Sequence, residues 1–308
     1  MEPRKLVKAG QTSHTISLPK DWITKNNLKK GDTIYVSTKS DNELLITTSS
    51  EQKISEKKEK TINIDGKEMD TIQRDITSAY LNNYNTITLI GNNITNKTKE
   101  IRKILHDFVA LEISEQTPMR IVAKDLLNLQ EISLSKTINR MDLIIRTMIT
   151  DTISSFEGKE LHESIQYRDY DVNRLYFLLS RLLKGSLQDP GLAGQLGIKK
   201  DEVLSYWYLV VNLENLADYI KNISETGKTK DKCAKKIIEI LQRNYLDTMK
   251  AHYNKDRVLA DAVVKKRIEI QEECERLKNP EINAVVKAIT TAINNIAKTV
   301  IDAEENKE

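Results

Sequence analysis

The sequence predicts a multidomain, mainly α-helical chain: an N-terminal β unit, a small α/β middle domain and a C-terminal pair of three-helix bundles. Three observations predict it. The 308 residues include only 10 Gly and 5 Pro, and aromatics are few, a composition that favours helices. The pattern changes twice along the chain, from alternating Thr, Ile and Val, through a mixed stretch, to long segments of helical period. Beyond residue 130, Leu134, Ile138, Met141, Ile145 and Met148 step by 4, 3, 4 and 3, which is the narrow apolar stripe of a bundle helix.

The first 48 residues read as four short strands and one short helix. "RKLVKAG" and "HTISLP" are strands joined at Gly10-Gln11. Pro19 suits the first turn of a helix, where its missing N–H has no partner to lose, and "KDWITKNN" then stops at Asn26-Asn27. "GDTIYVST" and "NELLITT" form a second hairpin around Asp41-Asn42. Such a unit is too small to bury much surface alone and is expected to complete its core with a second copy of itself. It is also basic. Residues 1–31 hold Arg4, Lys5, Lys8, Lys20, Lys25, Lys29 and Lys30 against Glu2 and Asp21, although the whole chain has a net charge of only +3.

Residues 49–60, "SSEQKISEKKEK", read as a polar linker. From 61 to 128 the order is β-α-β-α-β-β, a small α/β domain closed by a hairpin at Thr117-Pro118. Within it, "GNNITNKT" imitates a phosphate-binding loop, with Asn96 where the pattern needs its second glycine. The domain is too short for the sheet such a loop serves. Asn96 is more simply the cap of a helix that starts at Lys97.

Residues 129–308 read as helices at about 160–187, 199–225, 229–252, 254–278 and 281–304, besides the one already described. The breaks are "EGKE", "QDPGLAGQLG", "TGK", "YNKD" and "KNP". Six helices with short breaks suggest two packed three-helix units. Glu214 and Asp218 lie four apart and share one helix face, as do Asp169 and Asn173 on the preceding helix. Both pairs sit in apolar helices, so their carboxylates need a partner. Four oxygen-bearing side chains could converge on a hard cation, or Arg168, Arg174 or Lys221 could supply the counter-charge instead.

Two stretches resemble known families. "VKAGQTSHTISLPKDW" followed by "LKKGDTIYV" resembles the swapped-hairpin domain of the AbrB/MazE/SpoVT transition-state regulators. That resemblance implies a dimer of interdigitated hairpins whose basic side chains contact DNA: Arg4, Lys5 and Lys8, with His14 and Lys20. Phosphate contacts of this kind supply affinity more than sequence readout. "RDYDVNRLYFLL", "DPGLAGQLGI" and "LENLADYIKNIS" together resemble the PhoU family of phosphate-uptake regulators, in particular archaeal forms with an AbrB-like domain in front. That resemblance implies two similar three-helix bundles with metal-binding E/D-x-x-x-D motifs and a role in restraining phosphate signalling and transport. Glu214-x-x-x-Asp218 is intact, but Asp169-x-x-x-Asn173 has lost a carboxylate. The second bundle offers only Asp256-x-x-x-Ala260 and Asn294-x-x-x-Lys298. The expectation is therefore at most one divalent or trivalent ion (iron, zinc, manganese or magnesium) on Asp169, Asn173, Glu214 and Asp218, and no cluster.

The functional expectation is a cytoplasmic, dimeric, DNA-binding transcriptional regulator of phosphate uptake. The alternative is an adaptor that docks to a phosphate transporter ATPase through its helices, with the N-terminal unit only dimerising. An antitoxin-like repressor fits poorly, because such proteins carry short neutralising tails rather than a large folded region. Four scattered His residues, no nucleophile–base pair and no cofactor loop argue against an enzyme. No apolar run approaches the ~18 residues of a membrane span, and no secretory signal opens the chain. Cys233 and Cys274 read as reduced packing residues.

Overall fold

The computed structural model describes residues 3–40, 43–48, 58–128, 131–226, 232–277 and 279–303. The chain divides into two compact units, Met1–Glu56 and Lys57–Glu308. It is mainly helical, with hairpin strands at the N-terminus, a small sheet in the middle and helices to the end.

In the N-terminal unit, β1 (Val7–Lys8) pairs antiparallel with β2 (His14–Thr15), so the strands are shorter than the alternation suggests. The turn is closed by Ala9 N–H donating to the Ser13 carbonyl at 3.0 Å. Helix α1 (Lys20–Lys25) follows Pro19, and Asn27 ends the segment at φ 53°. β3 (Tyr35–Ser40) then pairs antiparallel with β4 (Glu43–Thr47), with an irregularity between Thr38 and Ser40. The expected turn at Asp41-Asn42 lies outside the described residues, as does most of the expected linker at 49–60.

In the large unit, β5 (Glu59–Asn63), α2 (Met69–Leu81), β6 (Thr86–Ile90), α3 (Ile94–His106), β7 (Leu111–Thr117) and β8 (Arg120–Asp125) form a four-stranded sheet with two helices. The strand order is β5-β6-β8-β7, with β5 parallel to β6 and the other pairs antiparallel. Alternation places Ile87 and Leu89 of β6 in the core beside Ile62, Ile121 and Ala123, against Ile72 and Ile76 of α2 and Ile101 and Leu105 of α3. Strand β5 begins two residues inside the stretch read as linker.

Helix α3 begins at Ile94 after Asn93, not at Lys97, so Asn96 is not its cap; its amide donates instead to Asn93 Oδ1 at 2.6 Å. The phosphate-loop imitation is filled by the protein itself. Asp65 accepts from the Asn92 backbone N–H at 2.8 Å and from its side-chain amide at 3.1 Å. Lys97 donates to the Lys67 carbonyl at 2.5 Å. A Cβ on Gly91 would lie 2.8 Å from Ile64 Cγ1, so glycine is needed there for close packing at the end of β6.

The remaining described helices are α4 (Leu134–Ser155), α5 (His162–Ser186), α6 (Pro190–Leu196), α7 (Val203–Thr226), α8 (Lys232–Asn254), α9 (Arg257–Cys274) and α10 (Pro280–Ile301). The stripe residues of α4 are all buried. α6 lies in a stretch that reads as a break. Its Gly and Pro suggest a turn, yet Asp189 caps it by accepting from the Gly191 N–H at 2.8 Å, Pro190 opens it and Gly197 ends it at φ 65°. Helices α4, α5 and α7 pack mutually, as do α8, α9 and α10, and α7 against α10 joins the two triads into one continuous core. Asn295 on α10 donates to Asn212 Oδ1 on α7 at 3.1 Å across that seam.

A second tie joins α4 to α8. Asp142, fully buried, accepts from Arg146 Nε and Nη2 at 2.9 and 2.7 Å, from the Tyr245 hydroxyl at 2.8 Å and from the Tyr253 hydroxyl at 3.0 Å. Burial and the Asp142 charge push both tyrosine hydroxyls well above their ordinary pKa, which keeps them protonated as donors.

The sheet module keeps its own core and belongs to the same compact unit as the helices. Arg181 on α5, 3% exposed, is the link. Its guanidinium donates to Asn83 Oδ1 at 2.9 Å, pairs with the Asp125 carboxylate, and lies over the Tyr80 ring, 4.7 Å from its centroid. Phe108 of the module and Phe177 of α5 extend the contact, with ring centroids 5.2 Å apart. Removing one member of a buried ion pair leaves the other uncompensated. Arg181→Ala is therefore expected to cost roughly 3–5 kcal/mol in chemical denaturation, whereas Arg181→Met combined with Asp125→Leu recovers most of that loss.

Candidate functional site

Arg4, Lys5, Lys8, His14, Lys20, Lys25, Lys29 and Lys30 of the N-terminal unit are all exposed. Lys8 and His14 are directly opposite in the β1–β2 register, so they share one face of the hairpin, while Val7 and Thr15 share the other. Arg4 and Lys5 precede β1, and Lys20 opens α1. Six large apolar residues of this unit are exposed as well, Leu6, Val7, Ile16, Tyr35, Val36 and Leu44, and Leu18, Trp22, Ile23, Leu28, Ile34 and Ile46 are half-buried. Among its described side chains none is buried. A chain segment with that many exposed aliphatic groups has no core of its own in a single copy.

The other four candidate residues come together between α5 and α7. The helices run antiparallel there, with His162 Nδ1 and Ser224 Oγ in contact at 3.0 Å near one end. Lys221, one turn beyond Asp218, donates to Asp169 Oδ2 across the helices at 2.7 Å and to Asp218 Oδ1 on its own helix at 2.7 Å. Asn173 Nδ2 donates to Asp169 Oδ2 at 3.4 Å, and Asp169 Oδ1 is buried without a hydrogen-bond partner. Of the three cations that could have served, Lys221 takes the role. Arg168 instead pairs with Asp151 at 2.5 Å, and Arg174 lies 6.0 Å from the Tyr170 ring centroid.

The electrostatics reflect a shortage of positive charge. Burial alone would lower the Lys221 pKa, but its hydrogen bonds to Asp169 and Asp218 outweigh that and raise it. Burial raises the Asp169 carboxyl, and the neighbouring Asp218 adds to the shift while Lys221 opposes it. Glu214 is pushed up to about 7 by burial first, then by the charges of Asp218 and Asp169, with Lys221 opposing. One ammonium serves three carboxylates, and Glu214 is the one most readily kept protonated.

The arrangement does not fit a metal ion. A hard cation needs several converging oxygens free to face it. Here an ammonium already holds one oxygen of each aspartate. Among the described residues, no group of three or more His, Cys, Asp or Glu is placed to hold a metal. The positions aligned with this motif in the second triad are used differently: Asp256 caps α9 by accepting from the Leu259 N–H at 2.9 Å, Ala260 has no donor atom, and Lys298 is exposed.

Because the Glu214 carboxyl holds its proton more tightly in the fold than in the unfolded chain, its ionisation destabilises the fold. The loss begins as pH rises above its ordinary value of 4.5 and is complete beyond about 7. Glu214→Gln is expected to raise the thermal midpoint at about pH 8 and to change it little near pH 4, a difference read directly in parallel melts.

Residues 138–227 match the family model of the PhoU domain, and residues 13–55 match that of antidote-toxin recognition MazE, bacterial antitoxin. No curated protein and no solved structure matches the chain. The PhoU match runs from within α4 through α7, and so contains Asp169, Asn173, Glu214, Asp218 and Lys221. Among the described residues no helix is long and apolar enough to cross a membrane. The chain thus carries a MazE/AbrB-like domain at its N-terminus and a PhoU domain in its helical region, the architecture that the two motif-bearing stretches implied.

Proposed function

We propose that this protein is a dimeric DNA-binding regulator of phosphate uptake, in which the N-terminal unit pairs with a second copy and grips DNA while the helical region receives the signal. The observation that carries the reading is the N-terminal unit itself, whose described apolar side chains are all at least partly exposed and whose Lys8 and His14 share one hairpin face. A second copy would cover Leu6, Ile16 and Val36 and leave Arg4, Lys5, Lys8, His14 and Lys20 as a doubled basic surface. Lysine and arginine at phosphates release counterions, which makes such binding strong at low salt and tolerant of sequence. The family matches support the reading at both ends, since one is the PhoU domain and the other is antidote-toxin recognition MazE, bacterial antitoxin.

Two measurements test it. In sedimentation, the full-length protein is expected to be a dimer at micromolar concentration. Ile16→Asp, a change an exposed position of a monomer would tolerate, is expected to shift it towards monomer. An unaffected oligomeric state removes the second copy from this surface.

In fluorescence anisotropy with duplex DNA, changing Arg4, Lys5 and Lys8 together to Ala is expected to weaken binding to every sequence. The log–log salt slope should flatten by about one for each phosphate that the variant no longer neutralises. Wild-type DNA affinity in that triple variant would reject the DNA face, and no DNA binding in the parent would favour docking to a phosphate transporter ATPase.

A further inference from the structure

We propose that Lys221 is the built-in cation of the first three-helix triad, standing in place of the metal ion that the carboxylate pattern on α5 and α7 would otherwise hold. The geometry is specific. The Lys221 ammonium bridges two helices, 2.7 Å from Asp169 Oδ2 and 2.7 Å from Asp218 Oδ1, so it performs the cross-linking that a bound cation performs between facing acidic side chains. It links a buried carboxylate to one nearer the surface: the Lys221 side chain is 24% exposed, its Asp169 partner 8% and its Asp218 partner 41%. An ammonium offers three donors and no ligand atom, so it satisfies carboxylates while repelling a second cation from the same space. An ion drawn to the remaining oxygens, among them the buried and unbonded Asp169 Oδ1, would have to sit beside the ammonium that already lies between the two aspartates.

The sequence position makes this possible. Lys221 follows Asp218 by three residues, which puts the two on one face of α7 and lets the stem lie along the helix towards α5. In the second triad the position that corresponds to Asp218 is Lys298, which is exposed and carries no ligand atom. The α5–α7 pair is then held by charges that the chain itself supplies.

The test uses the full-length chain, dialysed separately against Mn²⁺, Zn²⁺ and Fe³⁺ and then against metal-free buffer. Metal content is read by elemental analysis and stability by thermal melts with and without chelator. The wild type is expected to stay at background for every metal, with a melting point that neither metal nor chelator moves. Lys221→Met keeps the stem and removes the charge. It is expected to melt several degrees lower when metal-free, and to take up about one Mn²⁺ per chain with partial recovery of the melting point. Should that variant fail to fold, Lys221→Gln is read in the same way, and the wild-type arm stands regardless. About one or more ions retained per wild-type chain and lost in Asp169→Asn would overturn the proposal. An unchanged melting point with no metal uptake in the Lys221 variant would also overturn it.

Discussion

A carboxylate withdrawn from water must bring a counter-charge with it, and the large unit is tied together at three places where an aspartate meets that condition. Asp125 with Arg181 joins the sheet module to α5. Asp142 with Arg146, Tyr245 and Tyr253 joins α4 to α8, and thereby one helical triad to the other. Asp169 with Lys221 joins α5 to α7. Apolar packing supplies most of the favourable free energy in such a core, but it is non-directional. The buried ion pairs add direction, because each is costly in any arrangement that separates its members.

The three ties differ in how fully they are satisfied, and the difference separates scaffold from site. Asp142 accepts four hydrogen bonds and has nothing left to offer. Asp125 is closed off by a guanidinium that is itself held by Asn83 and stacked on Tyr80. Of the three, the α5–α7 cluster carries more negative charge than its lysine balances, leaving Glu214 near 7 and one oxygen of Asp169 unpaired. That imbalance lies within the residues matched to the PhoU domain. Among the three ties it is the one with electrostatic freedom remaining.

The N-terminal unit follows the opposite logic. It has charge in plenty and, among its described residues, no buried side chain. Its strands of two to six residues and short helix leave every described side chain at least partly exposed. In the large unit the burden of stability falls on buried groups within one chain; in the small unit it falls on whatever covers Leu6, Ile16 and Val36. In the proposed dimer a second copy is that cover, and the surface that lacks a core is completed by its own kind.

The amino-acid sequence alone determined the periodic parts. The step of 4, 3, 4, 3 along α4, the alternation of β6 and the basic, turn-punctuated start are local patterns set by backbone geometry, and each shows in any stretch long enough to repeat. The two family likenesses were legible for the same reason, since their motifs are contiguous. The short α6 was hidden because Pro190 and its glycines signal a turn and a cap equally well. The carboxylates of Asp169, Glu214 and Asp218 were legible as candidates, but which cation answers them was not. Arg168, Arg174 and Lys221 all lie within a few turns of those carboxylates, and only the rotation and register of α5 against α7 bring Lys221, 52 residues away in sequence, onto Asp169. The same holds for Arg181 with Asp125, 56 residues apart, and for Tyr245 with Asp142, 103 apart. Such pairings depend on how whole cores interlock, and that is decided only when every helix is in place.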